Sequence, residues 1–213
     1  GMAFQTSDGP IVQQADAVVL ALGGASWARL GSDGAWADWI DTDTTPFAAA
    51  NVGLRIEWSA HMDPFLGQPI KGAALHAGAA TSRGEFALSK HGIEGGGVYM
   101  VSRAVREGAA LTLDLFPDQT AEAMVQKLEK PRGKTSFANH LRKTLRLDGA
   151  RKALVQEWLR PLPSDEATLA RALKAIAVPH LGVRPMDEAI STAGGLPKSA
   201  LTDGLMLRDR PGV

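Results

Sequence analysis

The chain has 213 residues, 45% of them hydrophobic, and its 23 Lys and Arg residues balance 23 Asp and Glu residues. This length and apolar content suffice for one large domain or two to three small ones, and the zero net charge indicates no particular partner. The lack of cysteine excludes disulfides, thiolate catalysis and cysteine-ligated metals. No apolar run approaches the roughly 20 residues that span a bilayer, and the amino terminus shows no signal-peptide pattern, so we expect a cytoplasmic protein with no membrane partner.

The amino-terminal part predicts a hairpin, a buried strand and a short helix. Residues 3–6 and 11–14 flank the turn signal SDGP, which favours a hairpin. Residues 17–22 are a continuous apolar run, as expected of a parallel strand covered on both faces. Asp33 can then cap a short helix that contains two tryptophans.

The pattern changes after residue 51, where short strand-like segments alternate with Gly, Pro and polar turns. Such spacing favours a small antiparallel barrel or sandwich. The stretch VYMVSRAVREG, residues 98–108, interrupts the strands with helical spacing. The strand-like segments are NVGLRIEW, PIKGAALHAG, GEFALSKHG and ALTLDLF.

Helical periodicity dominates residues 119–177, which we interpret as a compact helical subdomain. The stretch EAISTAGGLPKSAL then returns to a strand-and-turn pattern. The apolar residues at helical spacing are Ala121, Met124, Val125, Leu128, Phe137, Leu141, Leu145, Leu154, Trp158, Leu169, Leu173 and Ile176.

Two glycine pairs follow strand-like runs and are candidate ligand turns. Gly23 and Gly24 end the run at 17–22, and Gly194 and Gly195 lie in STAGGLP. Glycine allows a backbone to approach a ligand closely, and ligands of open α/β sheets lie beyond the carboxyl ends of strands. Each pair is also compatible with a simple tight turn.

Other site patterns find little support. Neither a dinucleotide-binding G-x-G-x-x-G nor a phosphate loop opens a helix, and the triplet at 95–97 lacks the flanking contexts of both. No G-x-S-x-G elbow favours a hydrolase. We expect no metal site, because the histidines form neither an i, i+4 pair nor an acidic cluster; they are His61, His76, His91, His140 and His180.

A basic stretch at 127–152 carries nine Lys and Arg residues against two acids, Glu129 and Asp148. Such an excess could contact phosphates, and a nucleic-acid-binding module built from the barrel and these helices is the alternative function. Its one aromatic residue, Phe137, has a spacing that suits the helix core, so a solvated helical face is the favoured interpretation and nucleic acid is not an expected partner. The pattern favours no particular oligomeric state.

Taken together, six stretches in this order resemble the BaiN/YhiN-like FAD-dependent oxidoreductases, most closely a bacterial branch of these flavoproteins. The resemblance covers nearly the whole chain, and the ordered set is more specific than any single motif. The stretches are ADAVVLALGGASWARLGSDGAWADWI, ANVGLRIEWS, GIEGGGVY, LDLFPDQT, RPMDEAISTAGGLP and LMLRDRPGV.

The resemblance implies an α+β fold class, with a small β-barrel insert and a helical insert subdomain flanked by remnants of an α/β, Rossmann-like FAD-binding domain. The expected division is residues 1–45 for part of the FAD-binding domain, 46–116 for the barrel, 117–177 for the helices, 178–190 for a return to the barrel, and 191–213 for more of the FAD-binding domain.

The same resemblance implies the cofactor and its contacts. Gly23 and Gly24 match the family's glycine pair at the end of the strand over which FAD passes. Ala193, Gly194 and Gly195 match the turn expected near the flavin ring. The flavin performs the redox chemistry in such proteins, and the protein supplies orientation and electrostatics.

The implied activity is hydride transfer to or from a small organic substrate at the flavin, with NAD(P)H as the expected reductant. Lys71, in a strand pattern of the barrel, and Glu188, just before the second glycine turn, are the catalytic candidates on the substrate side. Exposed ion pairs are the alternative interpretation of both residues.

Two parts of the family pattern are missing from this sequence. The first is the amino-terminal strand, glycine loop and helix, together with the acidic residue that should bind the adenosine ribose. The second is the closing GE…GGY segment. The resemblance therefore implies that this chain is the central fragment of a flavoprotein, inactive alone and isolated without FAD.

Overall fold

The computed structural model describes residues 1–147 and 149–213. Asp148, one of the two acids of the basic stretch, lies outside the described residues. The predicted α+β class is confirmed, because antiparallel sheets and α-helices are both present. The chain divides into a larger unit, Ala49–Ser191, and a smaller unit formed by Gly1–Ala48 and Thr192–Val213.

The strands are short, and the helices follow the first nine of them. The strands in chain order are β1 (Met2–Thr6), β2 (Gly9–Gln13), β3 (Thr45–Asn51), β4 (Leu54–Arg55), β5 (Pro69–Ile70), β6 (Ala74–Ala77), β7 (Ala80–Arg83), β8 (Phe86–Ser89), β9 (Gly92–Glu94), β10 (Leu111–Asp114), β11 (Ile176–Ala177) and β12 (Ser191–Gly195). The α-helices are α1 (Gly96–Arg106), α2 (Ala121–Leu128), α3 (Phe137–Leu145), α4 (Gly149–Trp158) and α5 (Glu166–Lys174).

Two four-stranded antiparallel sheets form the β part of the larger unit. Their orders are β11-β10-β6-β7 and β4-β9-β8-β5. The predicted barrel is not closed in the described residues, since each sheet keeps two edge strands. The physical reason lies in the edges: β4, β5 and β11 have two residues each, and β5 begins with Pro69, which has no N–H to extend a ladder.

Helix α1 lies against strands of both sheets, as the helical spacing at 98–108 predicts. Val98, Val101 and Val105 recur at i, i+3 and i+7, and all three are buried. They join a core that contains Leu75 from β6 and Phe86 from β8. One apolar stripe therefore supports both sheets.

Helices α2, α3 and α5 each follow a residue of a type that commonly caps helices. The side chains of Thr120, Ser136 and Asp165 accept hydrogen bonds from backbone N–H groups three residues later. The bond from the Thr168 N–H lowers the pKa of the Asp165 carboxyl, because it stabilises the charged form. These caps satisfy amides that a helix cannot bond internally.

The helices share the core of the sheets. Leu141 on α3 and Leu173 on α5 are both buried in the same apolar cluster as the strand residues. The Leu115 N–H donates to the Leu173 carbonyl at 3.2 Å. Lys174 also pairs with the buried Asp114 of β10 at 2.7 Å, which fixes the end of α5 to the sheet.

The smaller unit confirms the predicted hairpin, with β1 and β2 paired antiparallel. Residues 35–38 form a 3-10 helix near Asp33, whose Oδ1 accepts from the Ala35 N–H at 3.0 Å. The predicted strand at 17–22 is wrong: the described backbone there has no strand, and Val19 is 88% exposed. A strand requires neighbours for its N–H and C=O groups, and here the Val18 N–H bonds a loop carbonyl instead.

Leu141→Ala and Leu173→Ala should each lower the free energy of unfolding by about 2–5 kcal/mol, because each leaves a cavity in the shared core. Chemical denaturation monitored by circular dichroism measures the loss. Arg142→Ala, an exposed change on α3, is the matched control and should shift stability by no more than about 0.5 kcal/mol. Wild-type stability for both leucine variants would contradict the assignment of these helix faces to the core.

Candidate functional site

The two predicted glycine turns lie together in the smaller unit, but the second is not a turn: Ala193, Gly194 and Gly195 form the end of strand β12, which pairs with β3. The Trp36 indole donates through Nε1 to the Gly23 carbonyl at 3.2 Å, and the same ring packs against Gly195. Gly24 lies directly against Thr192, in the strand that carries the second pair. The structure thus joins two segments that are far apart in sequence, as a shared ligand site requires.

Close packing explains three of these glycines. A Cβ on Gly24 would collide with the Thr192 hydroxyl, and one on Gly194 would collide with the carbonyl of Pro46. Gly195 has φ +83°, and its Cβ would come within 3.2 Å of the Trp36 ring. Internal packing therefore accounts for glycine at 24, 194 and 195 without any ligand, which keeps the tight-turn interpretation open beside the cofactor one.

The turns nevertheless offer groups that fit an anionic cofactor. The N–H groups of Gly23 and Gly24 make no hydrogen bond to the described residues, and Gly23, Ala193 and Gly194 are exposed. Free amides at an exposed turn can donate to phosphate or flavin oxygens. In the described chain neither turn leads directly into an α-helix; each is followed by a three-residue 3-10 helix, so a strong helix dipole is lacking.

Lys71 and Glu188 lie in the larger unit, and the structure does not pair them with each other. Lys71 forms an ion pair with Glu85 at 3.3 Å, in which both side chains are more than half exposed. Glu188 lies 3.6 Å from Arg184. Lys71 thus takes part in a surface ion pair, whereas Glu188 pairs with a largely buried arginine, and a catalytic role for either stays a prediction.

Arg184 is a residue that the sequence pattern did not single out. Its side chain is only 11% exposed; Nη1 binds Glu94 at 2.7 Å, and Nη2 donates to the Ser89 hydroxyl. Its Nε is buried and has no hydrogen-bond partner in the described residues. The guanidinium therefore connects the segment 178–190 to β8 and β9. The sequence spacing does not reveal this contact, because Ser89 and Glu94 are about 90 residues away from Arg184.

The glycine triplet at 95–97 lies between a strand and a helix, which the sequence pattern did not predict. Strand β9 ends at Glu94, Gly95 is the N-cap, and α1 begins at Gly96. The signal was missed because β9 has only three residues and the helical spacing becomes visible only from Val98. This strand–glycine–helix junction forms one wall of a cleft.

The basic stretch does not form one continuous surface. Lys130 and Arg132 border a cleft of about 560 Å³ in the helical part, whereas Arg151 turns inward, donates to the Leu115 carbonyl and lies over the Phe116 ring. Phe137 packs partly against the core, as its spacing predicted, and its half-buried ring also lines this cleft.

Two further findings limit the possible sites. Across 1–147 and 149–213, no group of three His, Asp or Glu side chains could hold a metal ion. The helices of that same part of the chain are too short or too polar to cross a membrane.

Comparison with known proteins adds one match. The family model described as "HI0933-like protein barrel and H2TH domain" matches residues 48–191, well over half of the chain. This family is associated with FAD-dependent oxidoreductases. No curated protein matches the chain.

Gly24→Ala should lower the free energy of unfolding by about 1–3 kcal/mol, because the new methyl group overpacks Thr192. Thr192→Ala should recover part of that loss, giving a coupling energy of about 0.5–3 kcal/mol in a double-mutant cycle measured by tryptophan fluorescence. Gly204→Ala, whose Cβ would have no neighbour closer than 3.8 Å, is the control. Strict additivity of the two changes would show that Gly24 and Thr192 do not pack as described.

Proposed function

The chain belongs to the HI0933-like family, and from that membership we propose that it forms part of a flavoprotein oxidoreductase in which FAD lies over the two glycine turns. One observation carries the proposal: the Trp36 indole and Thr192 bring Gly23 and Gly24 beside Gly195. A cofactor that spans two chain segments needs such a junction.

In this proposal the FAD supplies hydride transfer, with NAD(P)H as reductant and a small organic substrate at the flavin. The amides of Gly23 and Gly24 donate to the cofactor's oxygens. The exposed backbone at Ala193 and Gly194 faces the flavin and stabilises negative charge on its reduced form. Within the family, the ordered motifs support a BaiN/YhiN-like branch.

Lys71 and Glu188 remain the proposed substrate-side residues. The Lys71 ion pair is exposed, so breaking it to bind a substrate carries a small energetic cost. Glu188 is itself half exposed, although its partner Arg184 is largely buried. Arg184 lies 3.6 Å from Glu188 and is the proposed positioning residue for that carboxylate.

We also propose that this chain alone binds FAD weakly and is inactive by itself. Each hydrogen bond from the turns contributes about 0.5–1.5 kcal/mol net, whereas association costs about 4 kcal/mol or more. Without an α-helix directly after either turn, the dipole that usually attracts a pyrophosphate is lacking. The natural flavoprotein would supply the remaining contacts.

Titration of the 213-residue chain with FAD, followed by flavin fluorescence, should show an affinity no better than about millimolar. The natural protein that contains this chain should instead purify with the visible absorbance of a flavin and oxidise NADPH or NADH. Saturation of the chain at low micromolar FAD would contradict the weak-binding proposal. A colourless natural protein that does not take up added FAD would overturn the proposed function itself.

Reversal of charge in the basic stretch separates this function from the nucleic-acid alternative. Arg142→Glu with Lys143→Glu should leave the flavin content and turnover of the natural protein nearly unchanged, because both side chains are exposed on α3. Steady-state kinetics and the absorbance spectrum measure this, with Arg142→Gln and Lys143→Gln together as the neutral control. A large loss of turnover in a folded variant would indicate that a charged substrate or partner docks there.

A further inference from the structure

The larger unit contains a cleft of about 500 Å³ at the amino end of α1, where β9 leads through Gly95 into the helix. It does not involve the glycine turns of the proposed flavin site. Its lining residues are Ser82, Arg83, Gly84, Glu85, Phe86, Ala87, Gly95, Gly96, Gly97 and Met100.

Glycines set the shape of this cleft. A Cβ on Gly84 would lie 3.2 Å from the Cα of Gly97, and one on Gly97 would lie 3.0 Å from the Glu85 carbonyl oxygen. Gly95 has φ +108°, a conformation that L-residues with side chains rarely adopt. The backbones of the β7–β8 connection and of α1 therefore touch, and no side chain fills the space beside them.

The helix presents unused donors at this point. The Gly97 N–H donates to the Glu85 carbonyl at 3.0 Å, but the N–H groups of Gly95 and Gly96 bond to nothing in the described chain. Helix α1 has 11 residues, long enough for a partial positive charge at its amino end. This feature alone would not define a site.

The independent observation is Ser82. This residue lines the cleft and is only 7% exposed, and its hydroxyl has no hydrogen-bond partner among the residues that the structure describes. The hydroxyl is not fully enclosed, so it meets solvent from the cleft and can donate to a ligand or water there. The other buried serine of the larger unit, Ser102, shows the usual arrangement: its hydroxyl bonds the carbonyls of Ala50 and Tyr99 at 2.9 and 3.0 Å.

The rim of the cleft also carries a positive charge, Arg83, that could bind an anion. Arg83 follows Ser82 directly and pairs with Asp118 in an ion pair whose side chains are both more than half exposed. The Glu85 carboxylate on the same rim is neutralised by Lys71 at 3.3 Å. Because exposed ion pairs are weak, Arg83 can turn from Asp118 to a stronger anion in the cleft.

We propose that this cleft binds a phosphate group through the amides of Gly95 and Gly96, the hydroxyl of Ser82 and the guanidinium of Arg83. All four are donors, and together they match the several acceptor oxygens of phosphate. The site lies within the larger unit and does not depend on the proposed flavin function.

Isothermal titration calorimetry with inorganic phosphate, at constant ionic strength, tests the site on the 213-residue chain. The wild type should bind one phosphate saturably, and Ser82→Ala should weaken that binding by about tenfold or more. Without phosphate, the Tm of Ser82→Ala should equal or exceed that of the wild type, since its hydroxyl makes no internal bond. Ser102→Ala is the matched control: its Tm should fall while its phosphate affinity stays the same.

Arg83→Met provides a second variant at an exposed position, so the test does not rest on a buried change. It should also weaken phosphate binding severalfold. Absence of saturable phosphate binding by the wild type, or wild-type affinity in both Ser82→Ala and Arg83→Met, would overturn the proposal. A parallel titration with adenosine monophosphate identifies the source: tighter binding than inorganic phosphate indicates a phosphorylated organic ligand, and no binding confines the site to free phosphate.

Discussion

The fold of the larger unit depends on the burial of one face of α1 against both sheets. Val98, Val101 and Val105 pack in one core with Leu75 of β6 and Phe86 of β8, so this helix face joins the two sheets. Because the helix must approach the β7–β8 connection closely, glycine is required at 84 and 97. The same approach leaves the amino end of α1 open, so the core packing and the proposed phosphate site have one cause.

Much of this architecture follows from local patterns in the sequence. The hairpin at the amino terminus, the apolar stripe of α1 and the caps at Thr120, Ser136 and Asp165 each depend on residues within a few positions of one another. Such short-range interactions are visible as spacing. Both glycine pairs are visible in the sequence, although it predicted neither the strand that contains Gly194 and Gly195 nor the meeting of the pairs around Trp36.

The features that sequence did not predict depend on distant partners. The apolar run at 17–22 has the composition of a buried strand, but a strand forms only where neighbours accept its hydrogen bonds. Sheet closure likewise depends on edge strands of two residues, which carry almost no periodic signal. The partners of Arg184 and the unpartnered hydroxyl of Ser82 appear only in three dimensions.

The ends of the larger unit lie side by side. The Asn51 side chain donates to the Ser191 hydroxyl at 2.9 Å, and the Ile190 N–H donates to the Asn51 carbonyl at 2.8 Å. Before this unit folds, the two segments of the smaller unit are separated by a long flexible loop, whose closure has an entropic cost. Once the larger unit has folded, its first and last residues are adjacent, so the two flanking segments no longer have a long loop to close. The meeting of the two flanks therefore has a lower entropic cost once the middle of the chain has folded.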